Sequence, residues 1–302
     1  MSAPVEIVPD TEHKGLVAAL PQPLRDYAQL ARFDRPIGWW LLFWPCAWGL
    51  LLAGGQGQWA LLAWLLLGSI AMRGAGCVYN DIVDADLDRQ VARTALRPVA
   101  SDRVSKRAAW GWLVLLCLIG LVVLLQLRWQ AQLVALGSLA LVAAYPFMKR
   151  IMGFPQAWLG LVFTWGVPVG WVALRSDRLD VMAALYAGAV LWCVGYDTIY
   201  ACQDREDDAM VGIGSSALTL GKHLRAGVAG FYAGAVALWA LAVWLLRPDP
   251  LALLALLPGA AHLGWQVLTL EDGDADNALA RFRSNRSLGL LVAAACWVVG
   301  NA

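Results

Sequence analysis

The chain has 302 residues, of which 60% are hydrophobic and 15% charged, with 29 Gly and 17 Trp. A soluble domain is nearer half apolar and about a quarter charged, so a water-soluble globular fold is excluded and an all-α, polytopic membrane protein in a lipid bilayer remains. The formal net charge of +1 gives no sign of nucleic acid, and no nucleic-acid partner is expected.

Residues 1–24 are polar, Pro-containing and poor in basic residues ahead of a modest apolar patch. They lack the basic start and apolar run of a signal peptide and read as a mobile N-terminal tail before a transmembrane domain over 25–302. Apolar stretches of about 17–22 residues then recur, each long enough to cross a bilayer as a helix. Nine spans are expected: Pro36–Gly54, Gln58–Tyr79, Ala108–Leu127, Ala131–Met148, Pro155–Leu174, Val181–Tyr200, Ala226–Leu246, Pro250–Leu270 and Ser287–Ala302.

Short connections at Gly55–Gly57, Arg128–Gln130, Arg175–Asp180 and Arg247–Asp249 alternate with two long loops, Asn80–Arg107 and Ala201–Arg225, and with Lys149–Phe154 and Glu271–Arg286. On the short side the only cations are Arg128, Arg175, Arg178 and Arg247; the tail and longer loops carry nearly all the others. By the positive-inside rule, the N-terminus and both long loops face the cytoplasm. Arg73 lies inside the second span, where a charge is costly and usually faces a polar interior, though its stem could also snorkel. The six Cys stand singly, as small apolar core residues do, and the three His form no HxxxH pair, which argues against a histidine metal site.

Two acidic clusters end spans on the same side. In Asn80-Asp-Ile-Val-Asp84-Ala-Asp86-Leu-Asp88, the residues Asn80, Asp84 and Asp88 are spaced i, i+4, i+8 and share one helical face. In the second cluster Asp197, Tyr200, Asp204 and Asp208, spaced i, i+3, i+7 and i+11, likewise fall on one face. Asp86 and Asp207 point elsewhere and are expected to be solvated or paired with loop cations. An acidic solvated loop face is the plain alternative, but it does not explain two clusters so placed. Like charges at this spacing repel unless cations intervene, and oxygen rows suit Mg²⁺, which is held by a few carboxylates plus substrate phosphates. A diphosphate would then bind through Mg²⁺, with Arg73, Arg89, Arg93, Arg97, Lys149 and Lys222 as candidate clamping cations. Ionisation leaves an allylic cation that an apolar cavity shields from water. A polyprenyl tail accounts for the membrane setting, at about 0.8 kcal/mol per buried CH₂.

These residues resemble the UbiA superfamily of membrane prenyltransferases from about Tyr27 to the C-terminus. The first motif, NDxxDxxxD, stands as Asn80, Asp81, Asp84 and Asp88; the second, DxxYxxxDxxxD, as Asp197, Tyr200, Asp204 and Asp208. The stretches Arg32–Gly38, Tyr196–Ala201, Asp204–Asp208 and Val211–Ser216 are similar to its 4-hydroxybenzoate branch. The resemblance implies nine helices around a central cavity, capped on the cytoplasmic side by loops 80–107 and 201–225, with Mg²⁺ as cofactor. It implies Asn80, Asp84, Asp88, Asp204 and Asp208 as metal or diphosphate ligands. It also implies transfer from polyprenyl diphosphate to the ring carbon ortho to the hydroxyl of 4-hydroxybenzoate, in ubiquinone biosynthesis and in a bacterial inner membrane. Asp197, with Tyr200, is the expected catalytic pair, orienting the phenol or taking its proton; Arg35 or Arg73 is the expected partner of the ring carboxylate. Other acceptors within the superfamily are the first alternative. A CDP-alcohol phosphotransferase would need a compact Gly- and Ala-Arg-containing motif that is absent, and an ion transporter would place its carboxylates near mid-membrane.

Overall fold

Three helix starts follow from their own capping residues. Ser105 Oγ accepts from the Ala108 amide at 3.2 Å, Asp249 Oδ1 from Leu251 at 2.9 Å and Asp274 Oδ1 from Asn277 at 2.9 Å. Each satisfies an amide that the first helical turn leaves unpaired.

The structure is a computed structural model that describes residues 17–90, 94–204 and 214–301, the side chains of Pro146, Lys149, Arg150 and Asp204 excepted. Every regular element among the described residues is helical. In chain order they are α1 (Gln22–Leu30), α2 (Ile37–Leu52), α3 (Trp59–Val83), α4 (Ala85–Asp88), α5 (Lys106–Leu124), α6 (Trp129–Ile151), α7 (Pro155–Phe163), α8 (Gly166–Val172) and α9 (Leu179–Tyr200). A 3-10 turn at Ala201–Asp204 precedes α10 (Ser216–Leu220), α11 (Leu224–Leu246), α12 (Pro250–Leu253), α13 (Leu257–Leu268) and α14 (Ala275–Gly300).

Five of the described helical runs are long and apolar enough to cross a membrane: Trp59–Val83, Lys106–Leu124, Leu179–Gln203, Ser216–Leu246 and Pro250–Leu268. Ile37–Leu52 and Trp129–Tyr145 are shorter apolar helices. The expected fifth span, Pro155–Leu174, is two short helices instead. Pro168 offers no amide and its ring clashes with the carbonyl four residues back, which is Thr164, just past the end of α7. Pro258 acts likewise on Leu254, where a 3-10 turn over Leu254–Leu256 separates α12 from α13. The last helix begins at Ala275 rather than Ser287 and so carries Arg281, Arg283 and Arg286.

The chain divides into two packed units, Met1–Trp39 with Leu66–Leu125, and Trp40–Leu65 with Gln126–Ala302. In the first, Leu30, Ala75, Val78, Ile82, Val99, Val104 and Leu116 form a core against which Tyr27, Phe33 and Trp112 pack. Trp112 meets the rings of Tyr27 and Phe33 edge-on at 5.7 and 6.4 Å. In the second, Trp48 of α2 lies 4.8 Å from Trp192 of α9 and 5.4 Å from Trp239 of α11, and donates to the Gly289 carbonyl of α14 at 2.9 Å. The backbones of α2 and α8 touch: a Cβ on Gly49 would collide with the Val167 carbonyl, and one on Gly170 with that of Cys46. Gly166 and Gly170 form the small-xxx-small spacing that permits this approach.

Candidate active site

The first acidic row keeps its register across a bend. α3 ends at Val83 and α4 starts at Ala85, yet the Asp84 amide donates to the Asn80 carbonyl and the Asp88 amide to the Asp84 carbonyl, both at 2.8 Å. Asn80, Asp84 and Asp88 therefore remain one turn apart, as their spacing predicts. Asn80 and Asp84 are half-buried and Asp88 is buried.

Two arginines pair with the carboxylates Asp81 and Asp88 of this motif. Arg97 Nη1 donates to Asp88 Oδ2 at 2.8 Å and to Asp81 Oδ1 at 3.4 Å. Arg32 Nη2 reaches both oxygens of Asp81, at 2.8 and 2.9 Å. Burial pushes the Asp88 carboxyl up from the usual carboxylate value, against the opposing pull of Arg97, and Asp81 adds to the rise. Burial disfavours the Arg32 cation, but Asp81 outweighs it and the guanidinium is held above its ordinary value. Oxygen donors one turn apart along a helix are the kind of ligands that a hard divalent cation takes. Among the described residues no three His, Cys, Asp or Glu side chains converge as a metal cage.

The other expected cations fall into distinct places. Arg89 is braced within the loop, donating to the Ala100 carbonyl at 2.9 Å, Asp102 at 2.6 Å and Asp86 at 3.3 Å. Asp86 is exposed and also meets Lys106 at 3.4 Å, a loop pairing of the kind its position on the helix predicts. Arg35 lies 3.5 Å from Asp34. Arg73 packs on Gly38, where a Cβ would stand 2.9 Å from its Nε, so the absent side chain makes room for the guanidinium. Arg35 and Arg73 thus meet the same turn at the start of α2, whose Gly38 amide donates to the Arg35 carbonyl at 3.2 Å. Lys222 is exposed in the turn before α11. The backbone of Lys149 lies in α6; Arg93 falls outside the described residues.

In the second unit, Asp197 and Tyr200 are half-buried on the last turns of α9, and the Tyr200 ring packs 4.7 Å from Phe282 of α14. Thr198 Oγ1 and Ser216 Oγ share a buried hydrogen bond at 2.8 Å that ties α9 to α10. The single stripe expected for Asp197, Tyr200, Asp204 and Asp208 does not extend as an α-helix beyond Tyr200. The 3-10 turn Ala201–Asp204 advances about 120° per residue against about 100°. Asp208 lies outside the described residues.

Sequence reading passed over two features. The spacing of the first motif gives Asp81 and Arg32 no part in the donor row. The buried amides Gln266 and Asn285, which link Trp192 and Tyr232, could have been found as amides inside apolar helices.

Apolar helices, one of which ends in a row of oxygen donors beside arginines, define a helical protein of membrane character. The sequence matches the UbiA prenyltransferase family over residues 42–288. It is 41% identical over 294 residues to the mitochondrial 4-hydroxybenzoate polyprenyltransferase of Caenorhabditis elegans, covering 96% of this chain and 82% of the relative. The human mitochondrial 4-hydroxybenzoate polyprenyltransferase is 40% identical, with 92% and 76% covered. An apo UbiA homologue from Aeropyrum pernix K1 superposes with a TM-score of 0.71 at 28% identity, over 86% of this chain and 97% of that one. A UbiA homologue from Archaeoglobus fulgidus bound to GPP and Mg²⁺ shares the fold, with a TM-score of 0.65 at 18% identity and 92% and 100% covered. The chain belongs to the UbiA prenyltransferase family and is a membrane prenyltransferase enzyme.

Proposed function

We propose that the enzyme transfers a polyprenyl group from polyprenyl diphosphate to the ring carbon ortho to the hydroxyl of 4-hydroxybenzoate, with Mg²⁺, in ubiquinone biosynthesis. The observation that carries this reading is the Asn80, Asp84, Asp88 register with Arg97 against Asp88. The names of the relatives support the acceptor, and the GPP- and Mg²⁺-bound homologue supports the donor class.

Asn80, Asp84 and Asp88, with Asp204 and Asp208, would hold Mg²⁺. Bound there, the ion neutralises charge on the departing diphosphate. Arg73, Arg89, Arg93, Arg97, Lys149 and Lys222 supply the further positive field. As the allylic C–O bond breaks, the diphosphate leaves with the electron pair. The ring carbon ortho to the hydroxyl forms the new C–C bond, and Asp197 takes the ring proton while Tyr200 holds its orientation. Arg35 or Arg73 meets the ring carboxylate, and apolar walls keep water from the cation.

The same reading includes nine membrane passages around a cavity, a tail over 1–24, a catalytic domain over 25–302, and cap loops 80–107 and 201–225 on the cytoplasmic side. The side rests on the cation bias of the loops. The similar proteins are mitochondrial by name and give the bacterial assignment no support; the reading is confined to an integral membrane protein.

Membranes containing the chain, given labelled farnesyl diphosphate, 4-hydroxybenzoate and MgCl₂, should yield the 3-prenylated acid by mass spectrometry. EDTA should abolish the product. Equal turnover with EDTA, or with the acid omitted, would sink the reading.

A further inference from the structure

One carboxylate of the first motif stands off the donor row. Asp81 follows Asn80 by one residue, about 100° around the helix, and is only 2% exposed. Both its oxygens accept from Arg32 Nη2, at 2.8 and 2.9 Å, and Oδ1 also accepts from Arg97 Nη1 at 3.4 Å. The same Arg97 nitrogen reaches Asp88 Oδ2 at 2.8 Å. Charges thus alternate through Arg32, Asp81, Arg97 and Asp88. Arg32 itself holds left-handed backbone with φ 57°, uncommon for a long side chain, and its Nη1 donates to the Gln29 carbonyl at 2.9 Å. Two guanidiniums compensate the burial of the Asp81 charge, and loss of either leaves it less well paired.

We propose that Asp81 is a positioning residue and not a metal ligand: it holds Arg97 beside the donor row, aimed at the phosphate oxygens of the prenyl diphosphate. The proposal rests on the prenyl diphosphate site proposed above. Arg97 is a long side chain whose ordering costs entropy. With Asp81 fixed by Arg32, that ordering precedes ligand binding, which is preorganisation. When the ligand arrives, Arg97 exchanges Asp88 for a phosphate oxygen and keeps its contact with Asp81. Asp88 would then be free to serve as an oxygen ligand to a divalent cation.

The test is a double-mutant cycle on the full-length protein in detergent, with geranyl S-thiolodiphosphate and MgCl₂ as the probe in titration calorimetry. Asp81→Asn and Arg97→Gln should each weaken binding about tenfold, and the double variant should be no weaker than Arg97→Gln alone. Asp81→Glu should recover part of the loss. In turnover, Asp81→Asn should raise KM for the diphosphate with kcat little changed, and the Mg²⁺ concentration for half-maximal binding should stay put. Additive losses, or a raised Mg²⁺ requirement with affinity restored at saturating Mg²⁺, would overturn the proposal; the second result marks a metal ligand. If Asp81→Asn does not fold, the cycle is run with Asp81→Glu. Absence of probe binding by the unmodified protein would sink the prenyl diphosphate reading and this proposal with it.

Discussion

Trp192 of α9 donates its indole N–H to Asn285 Oδ1 of α14 at 2.8 Å, both side chains fully buried. Gln266 Nε2 donates to the same oxygen at 3.2 Å, and the Tyr232 hydroxyl donates to Gln266 Oε1 at 2.8 Å. Four elements of one unit, α9, α11, α13 and α14, are thus joined through two amides. Asn285→Leu removes the shared acceptor and strands buried donors, for an expected loss of about 1–3 kcal/mol. Unfolding in mixed detergent micelles measures it, and an unchanged midpoint would show that the bonds are replaced by others.

The donor row predicts a metal-dependent defect. Asp84→Ala and Asp88→Ala should each lower kcat/KM by about 10²–10³-fold, the scale of losing one electrostatic contact to developing charge. Raising MgCl₂ should recover part of the activity of either variant. Wild-type kinetics in both would remove the row from the site.

Asp197 is assigned to proton transfer, not to the diphosphate. Asp197→Asn should therefore cut kcat by about 10²–10⁴-fold and leave KM for the diphosphate near its original value. A rise in KM alone would move Asp197 into the binding apparatus.

Two glycines, Gly170 in the contact between α2 and α8 and Gly230 in open space on α11, have opposite expected outcomes. Gly170→Val drives a side chain into the Cys46 carbonyl and should destabilise by about 1–3 kcal/mol, as overpacking does. On α11, a Cβ at Gly230 meets nothing within 4 Å, so Gly230→Ala should stabilise by up to about 1 kcal/mol through helix propensity. Thermal inactivation of the two variants in parallel checks the pair.

What could be read from the chain alone follows the range of the interaction. The register of Asn80, Asp84 and Asp88 depends on local helix geometry, so spacing revealed it even though a bend intervenes at Asp84. The break in the fifth apolar stretch is local too, since Pro168 denies Thr164 its i+4 amide and leaves the carbonyl to accept from Val167 at 3.0 Å. Hydropathy averaged over the stretch hid this. The partners of Asp81 were illegible because Arg32 lies 49 residues away and Arg97 16 residues away, and nothing in the pattern distinguishes either from its neighbouring arginines. Past Tyr200 the winding changes from α to 3-10 over Ala201–Asp204, a change that composition does not reveal, and Asp208 lies outside the described residues.

The length of α3 has a consequence for the row it carries. At 25 residues it extends about 37 Å, whereas the oily interior of a bilayer measures about 30 Å. The surplus is roughly one turn, and Asn80 lies in the last turn of the helix. Lipid that thickens or thins the sheet changes that surplus, which the helix takes up by tilting or the bilayer by deforming.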